Sequence, residues 1–141
     1  DGSRAPVCYN GDIFTIFDYE TLCGDYPELD RVMLGRGIIS NPGLLDRIAA
    51  GTNSDGSGTD KETLKRFHQM IYEGYRQIMS GDRNVLFKMK ELWACMIQIF
   101  SDNGKYIKRI KKSQRLEEYE TAAAAVFRDL DILEGAGFRT Y

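Results

Sequence analysis

The sequence has few of the residue types on which metal sites and disulfide-rich scaffolds depend. Its single histidine, His68, has no cysteine or second histidine three or four residues away, so no metal-binding helix face forms around it. The three cysteines are an odd number without a C-x-x-C pair, which excludes a disulfide scaffold and a cysteine zinc site. They favour a reducing compartment. We therefore expect no bound metal.

Long apolar runs and an excess of positive charge are also lacking. No stretch approaches the roughly 20 apolar residues of a membrane-spanning helix, and the first residues do not form a signal peptide. A cytoplasmic protein without membrane contact is expected. The formal net charge is −2, with 19 lysines and arginines against 21 acidic residues. This balance excludes a uniformly basic nucleic-acid binder, so any RNA contact must come from a local patch.

Two segments near the start of the chain share a pattern of apolar run, glycine turn and helix signal. The first run ends at residues 10–12, and Thr15 and Asp18 follow with the spacing of a capping box. The second run ends at residues 35–37, and Asn41-Pro42 then supplies a candidate N-cap and a proline at the first helical position. Two such units in tandem predict consecutive βα units of a parallel sheet.

Turns of this kind are suited to anion binding. Glycine lets the backbone approach a ligand closely, and the helix behind the turn adds positive potential. In (β/α)₈ barrels, the loops after the last two strands often form a phosphate site. The candidate phosphate-binding residues are Asn10, Gly11, Asp12, Gly35 and Arg36. Both segments can equally be ordinary tight turns, because short glycine turns are common.

Two side chains beside the first turn carry their own expectations. Cys8, on the predicted strand, is expected to be a small buried apolar residue rather than a reactive thiol. Asp12 has two interpretations. Its carboxylate accepts hydrogen bonds from neighbouring amides, or it points away while the backbone N–H faces the phosphate, since a carboxylate directed at a phosphate would be repelled.

Three motifs occur in a characteristic order. They read Cys-Tyr-Asn-Gly-Asp-Ile from residue 8, Asp-Arg-Val-Met-Leu-Gly-Arg-Gly from residue 30 with a following Asn-Pro, and Phe-Lys-Met-Lys-Glu-Leu-Trp from residue 87. Together they resemble the C-terminal part of the tRNA-dihydrouridine synthases. The resemblance implies an α/β fragment of a (β/α)₈ TIM barrel, its last two βα units, followed by an all-α helical bundle that binds tRNA. Residues 10–12 and 35–36 would then hold the phosphate of FMN.

The resemblance also implies a flavin enzyme that reduces uridine to dihydrouridine in tRNA, with NADPH re-reducing FMN. In that family the catalytic cysteine and the flavin-ring contacts belong to the first six βα units, which would precede Asp1. None of Cys8, Cys23 and Cys95 matches that cysteine, so we expect an inactive fragment without a catalytic residue. Two alternatives stay open: another FMN or sugar-phosphate TIM-barrel enzyme, and a non-catalytic helical interaction module.

Composition divides the chain into three parts. Residues 1–51 contain the two βα units, residues 52–58 form a linker rich in glycine, serine and asparagine, and residues 59–141 form a helical domain. Helices are predicted over residues 16–26, 43–50, 60–79, 83–100 and 116–133, with Thr59 and Glu62 as a capping box, Asp82 as a cap and Gly135 as a stop. Within residues 43–50, Leu44, Leu45 and Ile48 are expected to point inward.

Apolar stripes in the predicted helices indicate the core. One stripe comprises Leu86, Met89, Trp93, Met96 and Phe100, and another comprises Leu64, Phe67, Ile71, Tyr75 and Ile78. His68, next to Phe67, is expected to be a surface or interhelical residue rather than a base or a ligand.

Positive charge is concentrated between Lys105 and Arg115, a segment without an acidic residue. Clustered cations release counterions from RNA and bind its backbone without base specificity. The candidate RNA-binding residues are Lys88, Lys90, Lys108, Arg109, Lys111 and Lys112. The alternative is a solvated helix face that Glu117, Glu118 and Glu120 balance.

The predicted sheet has two strands with open edges. Exposed strand edges invite pairing with another chain, so we expect some self-association.

Overall fold

The computed structural model describes residues 5–51 and 60–133, which are mostly helical and contain one two-stranded sheet. In chain order the elements are β1 (Cys8–Asn10), α1 (Ile16–Asp25), β2 (Arg31–Met33), α2 (Arg36–Ser40), α3 (Leu44–Ala50), α4 (Lys61–Ile78), α5 (Asp82–Met96), a 3₁₀ turn (Ile97–Ile99), α6 (Gly104–Lys112) and α7 (Leu116–Asp129). The strands pair in parallel, with Tyr9 opposite Val32. The carboxyl ends of both strands therefore lie at the same end of the sheet, where the segments that follow them begin.

The predicted capping box at the start of α1 is confirmed. The Thr15 hydroxyl oxygen accepts from the backbone N–H of Asp18 at 3.1 Å, and the Asp18 carboxylate accepts from the N–H of Thr15 at 2.9 Å. A further N–H, from Phe14, donates to the same carboxylate at 3.0 Å. The helix ends at Asp25, two residues before Pro27, because a proline disfavours helical backbone at the residue that precedes it.

The second unit differs from the prediction after β2. Arg36 and Gly37 belong to the short helix α2 instead of an open glycine turn. Asn41 is the C-cap of α2, and Gly43 rather than Asn41 is the N-cap of α3, so the predicted N-cap was wrong. The α2 helix forms because it packs against distant parts of the chain, which local sequence signals do not register.

Three side chains of these units have exposures that bear on the predictions. Leu44 is fully buried, but Leu45 is 56% exposed and does not point inward. Cys8 is exposed, contrary to the expectation of a buried thiol, because no described element covers that side of β1. Gly51 ends α3 with a φ of +75°, as predicted for a glycine in the left-handed region.

Helices α4, α5 and α7 enclose the main core. The predicted α5 stripe is confirmed, since all of its members are buried: Leu86, Met89, Trp93, Met96 and Phe100. The predicted α4 stripe is confirmed in part, since Leu64 is buried and Phe67, Ile71 and Tyr75 are half-buried against the core. The helix also buries His68 and Tyr72, whereas Ile78 at its end is 78% exposed.

Several helix ends differ from their predicted positions. Asp60 caps α4 by accepting from the N–H of Thr63 at 2.8 Å, whereas the predicted cap Thr59 lies outside the described residues. Gly81 is the N-cap of α5, and Asp82 is already helical. The α5 helix stops at Met96 and continues as the 3₁₀ turn.

The end of α7 also differs from the prediction. The helix stops at Asp129 rather than residue 133, because Ile132 turns back to form an antiparallel bridge with Phe100. Gly135, the predicted stop, and the linker at residues 52–58 lie outside the described residues.

The two parts that the structure describes have separate apolar cores. In residues 5–51, here called the α/β region, the core centres on Ile13, Leu22 and Leu44. Residues 60–133, the helical region, hold the larger core around Trp93. The α2 helix contacts both α3 and α5, and its Ile39 packs against the larger core. The division into domains at residues 52–58 stays a prediction.

Candidate functional site

The segments that follow β1 and β2 meet in one pocket of about 310 Å³. Because the two strands are parallel, their carboxyl ends lie at the same edge of the sheet, and the segments that leave them are neighbours. The pocket is lined by the five predicted phosphate-binding residues together with Ile13, Phe14 and Gly37. The structure therefore brings together Asn10, Gly11, Asp12, Gly35 and Arg36.

Gly37 permits this close approach. A Cβ atom at Gly37 would lie 2.0 Å from the backbone carbonyl oxygen of Ile13, a distance that no real contact allows. The absence of a side chain thus lets the start of α2 lie directly against the segment after β1. Sequence reasoning missed this role, although Gly37 stands in the motif that was singled out.

The pocket contains a cation and an anion in contact. The Arg36 guanidinium donates to the Asp12 carboxylate, and about half of each side chain is exposed. The carboxylate of Asp12 thus meets a cation of the second segment, a partner that neither interpretation of Asp12 included. The N–H groups of Phe14 and Thr15 donate to the Asp18 carboxylate.

The basic residues of α6 fall into two sets. Lys105, Lys108, Arg109 and Lys112 line one open groove, here called the α6 groove, since they recur three or four residues apart. Lys111 is exposed but does not line it. Ile110 is fully buried and Tyr106 and Ile107 are half-buried, so they anchor the helix as expected.

Acidic residues of α7 share the α6 groove. Glu117 and Glu118 line it beside the cations, and the Nε atom of Arg115 lies 3.2 Å from the Glu118 carboxylate. The N–H of Gln114 and the neighbouring Arg115 lower the pKa of Glu118. The groove therefore contains the cations expected of an RNA-binding surface. It also contains acidic residues that offset them, as expected if this is only a solvated helix face.

The two candidate lysines of α5 have partners within the protein. The Lys88 ammonium lies 2.8 Å from the Glu91 carboxylate, which raises the pKa of Lys88. The Lys90 ammonium donates to the backbone carbonyl of Ser113 at 2.5 Å and so ties α5 to the end of α6. Both side chains are half-buried, unlike those of Lys108, Arg109, Lys111 and Lys112.

A buried polar cluster inside the helical region was not foreseen. His68 Nε2 lies 2.6 Å from the Tyr119 hydroxyl, which also accepts from the Trp93 indole N–H at 2.9 Å. Burial lowers the pKa of His68 to about 4 and raises that of Tyr119. His68 is thus an interhelical residue, one of the two expected placements. The repeat of Leu64, His68 and Tyr72 every four residues was the signal for its burial.

Two classes of feature have no representative in the part of the chain that the structure describes. No group of three or more histidine, cysteine, aspartate or glutamate side chains there is arranged to hold a metal ion. The helices in residues 5–51 and 60–133 include none with the length and apolar character needed to cross a membrane.

Comparison with known proteins places these features in a family. The dihydrouridine synthase (Dus) family matches residues 2–135. The chain belongs to this family. Dihydrouridine synthases are enzymes of the TIM-barrel type, and a mostly helical chain with one small parallel sheet is consistent with part of such a protein.

Three relatives carry the name tRNA-dihydrouridine(16) synthase. The Aquipseudomonas alcaligenes protein is 44% identical over 45 residues, which are 32% of this chain and 14% of the relative. The Pseudomonas putida protein is 30% identical over 99 residues, 69% of this chain and 29% of the relative. The Neisseria meningitidis protein is 24% identical over 135 residues, 93% of this chain and 39% of the relative. The chain thus spans well under half the length of these relatives.

Proposed function

We propose that this chain contributes the cofactor-phosphate pocket and an RNA-binding surface to a flavin-dependent enzyme that is cytoplasmic and reduces uridine to dihydrouridine in tRNA. The single observation that carries the proposal is the convergence of residues 10–12 and 35–37 in one pocket of a Dus-family chain. The family membership and the names of the relatives support tRNA as the substrate.

The pocket suits the phosphate of FMN in size and in chemistry. Its volume of about 310 Å³ exceeds that of one phosphate group, and Arg36 supplies a guanidinium that can bind two phosphate oxygens at once. Asp12 holds Arg36 at the pocket. A phosphate must compete with Asp12 for that guanidinium, so we assign much of the binding to the backbone amides around Gly11 and Gly35.

When bound, FMN supplies the hydride for the uracil ring, and NADPH restores the reduced flavin. This chain's own residues bind and orient the phosphate end of the cofactor and hold the substrate RNA. We assign this chain binding roles, because its pocket offers a guanidinium and glycine-containing backbone, which suit a phosphate. We propose that it has no catalytic residue and is inactive alone, and that it forms the last two βα units of a barrel and a helical domain.

The proposed RNA surface centres on α6. Lys108, Arg109, Lys111 and Lys112 are exposed, and Lys105 joins three of them in the α6 groove. Lys88 and Lys90 lie on α5 and have internal partners, so we expect smaller contributions from them. The acidic residues of α7 limit non-specific attraction, which makes the surface a patch on an otherwise acidic protein.

Titration of the chain with unmodified tRNA at several salt concentrations tests the RNA surface. The double variant Lys108→Ala/Lys112→Ala should weaken binding and lower the slope of log K against log salt by about 2, because each lost phosphate contact releases roughly one counterion fewer. The control is Lys65→Ala/Arg66→Ala, which removes the same charge from exposed positions of α4. Equal losses in both variants, or no binding at low salt, would refute the proposed surface.

Titration with FMN, followed by flavin fluorescence, tests the pocket. Arg36→Ala should reduce affinity at least tenfold, because hydrogen bonds to charged groups contribute about 1.5–3 kcal/mol. Arg47→Ala on α3 removes a cation of the same region outside the pocket and should leave affinity unchanged. Inorganic phosphate should compete with FMN, and failure to compete would contradict a phosphate site.

A further inference from the structure

A second open groove of the helical region lies between the first half of α5 and the junction of α6 and α7, and it shares Glu117 with the α6 groove. It has a volume of about 810 Å³, and we call it the Phe87 groove. The lining residues that matter here are Arg83, Asn84, Phe87, Lys90, Gln114 and Arg115. A nucleotide fits easily into a space of this size.

The Phe87 ring is 60% exposed although its helix supplies the centre of the main core. The neighbouring residue Leu86 is buried, so α5 is packed against the core at this point and Phe87 lies on its outer face. Arg83, Phe87 and Lys90 stand at positions i, i+4 and i+7 and therefore share one face of α5. The exposed Phe87 ring thus lies between Arg83, which is exposed, and Lys90, whose ammonium is bound to the Ser113 carbonyl.

The charges of the Phe87 groove differ from those of the α6 groove. Arg83, Lys90 and Arg115 face it together with Asp82 and Glu117, so the charge is nearly balanced. Arg83 has no ion pair with another residue of the described part of the chain. Such a surface suits one phosphate and one polar, flat group better than a continuous phosphate backbone.

Two side-chain amides complete the groove. The Asn84 amide nitrogen donates to the carbonyl of Ser80 at 2.7 Å, and the Gln114 amide nitrogen donates to the carbonyl of Lys112 at 3.2 Å. These bonds orient both amides, and each side chain keeps its own carbonyl oxygen as an acceptor. Fixed amides beside an exposed ring are the groups that read the edge of an unstacked base.

We propose that the Phe87 groove binds one unpaired nucleotide of the RNA substrate, with its base stacked on the Phe87 ring and its phosphate on Arg83. This inference rests on the proposed binding of RNA and adds to it a subsite for a single unstacked base. RNA is recognised sequence-specifically where bases are unpaired and can stack on aromatic side chains. The α6 groove binds the phosphate backbone of the RNA, and the Phe87 groove distinguishes RNA with an unpaired base from a fully paired RNA helix.

The test compares two RNAs of equal length, one a hairpin with an unpaired loop and the other fully paired. Phe87→Leu should weaken binding of the hairpin about tenfold, the effect expected from the loss of one stacked base, and leave the duplex unchanged. Phe87→Tyr should restore hairpin binding, because it keeps the ring. The matched control is Phe17→Leu, at a phenylalanine of α1 that is 72% exposed.

The outcomes separate this inference from the proposed function. If neither RNA binds to the unaltered chain, the proposed RNA surface itself is wrong. If both RNAs bind and Phe87→Leu changes neither affinity, or weakens both equally, the nucleotide subsite is refuted. The salt dependence should be the same for Phe87→Leu as for the unaltered chain, because stacking releases no counterions. An unchanged thermal unfolding midpoint shows that the variant is folded.

Discussion

The helical region encloses Trp93, Tyr119, Phe100 and several further apolar side chains at 0–1% exposure, whereas among the described residues of the α/β region Leu44 alone is an apolar side chain buried to this extent. The difference follows from how each architecture buries its residues. Helices satisfy their own backbone groups and need only one apolar stripe against a neighbour. A parallel sheet has two faces to cover and two edges to pair, and two strands are too few to be stable alone.

The comparison shows that the candidate cofactor pocket is not in the better-packed region. It lies in the α/β region, and one wall is α2, which is held in place from both sides. Ile39 of α2 reaches the main core, while Gly37 lies against the carbonyl of Ile13. The geometry of the pocket therefore depends on the packing of the helical region.

The largest expected effect comes from breaking the core of the helical region. Trp93→Ala should lower the free energy of unfolding by about 3–5 kcal/mol, because it leaves a large cavity. It also removes the indole donor to Tyr119. Phe17→Ala, an aromatic truncation in the α/β region, should change stability by only about 0.5 kcal/mol, as for other exposed positions. Urea denaturation measures both. Similar losses would mean that the two regions are equally well packed.

Acid should lower the free energy of unfolding of the helical region, because the buried His68 becomes protonated. The unfolded residue binds a proton below its ordinary pKa of about 6.5, whereas the folded residue resists protonation until its pKa of about 4. Stability should therefore be complete above pH 6.5 and fall by roughly 3 kcal/mol as the pH drops to 4. Urea denaturation across this pH range measures the fall.

The variant His68→Gln provides the control for this prediction. It cannot titrate and should have a flatter stability profile between pH 6.5 and 4. Hydrogen bonds in the folded protein lower the pKa values of the carboxylates Asp60, Glu118 and Asp129, and this contribution to the acid dependence is the same in both proteins. A slope that remains in His68→Gln would assign the acid sensitivity to another group.

A smaller and more local effect is expected at the contact that forms the pocket. Gly37→Ala places a Cβ 2.0 Å from the Ile13 carbonyl oxygen and should destabilise the α/β region by about 1–3 kcal/mol. Hydrogen exchange should accelerate in α2 and around Ile13 more than in α7. Gly24→Ala, where nothing lies within 4 Å of the added atom, is the control and should be neutral or slightly stabilising. Slow exchange in α2 of the Gly37 variant would contradict this account.

The smallest effect concerns the open edges of the sheet, which we expect to cause weak self-association. Met33, 54% exposed at the end of β2, is a position where Met33→Lys should oppose strand pairing between two copies. Light scattering over a range of concentrations should show a modest rise in mass for the unaltered chain and a smaller rise for the variant. A constant monomer mass at high concentration would rule out this association.

Features set by neighbouring residues were predictable from the sequence. The capping box of Thr15 and Asp18, the end of α3 at Gly51 and the buried stripe of α5 depend on residues within a few positions of one another. The family also could be predicted, because the order of its motifs is a property of the sequence alone. The start of α5 at Asp82 and the end of α7 at Asp129 were harder to predict, because a cap and a β-bridge compete with the local signals.

The sequence by itself determined the two strands with a helix after each, the apolar stripe of α5 and the concentration of positive charge on α6. Only the tertiary structure decided that α2 is a helix and that Asp12 contacts Arg36, 24 residues away. It also buried His68 against Tyr119, 51 residues away. The physical reason is distance along the chain: periodicity and capping act over one or two helical turns, whereas these contacts exist only once the two cores have formed.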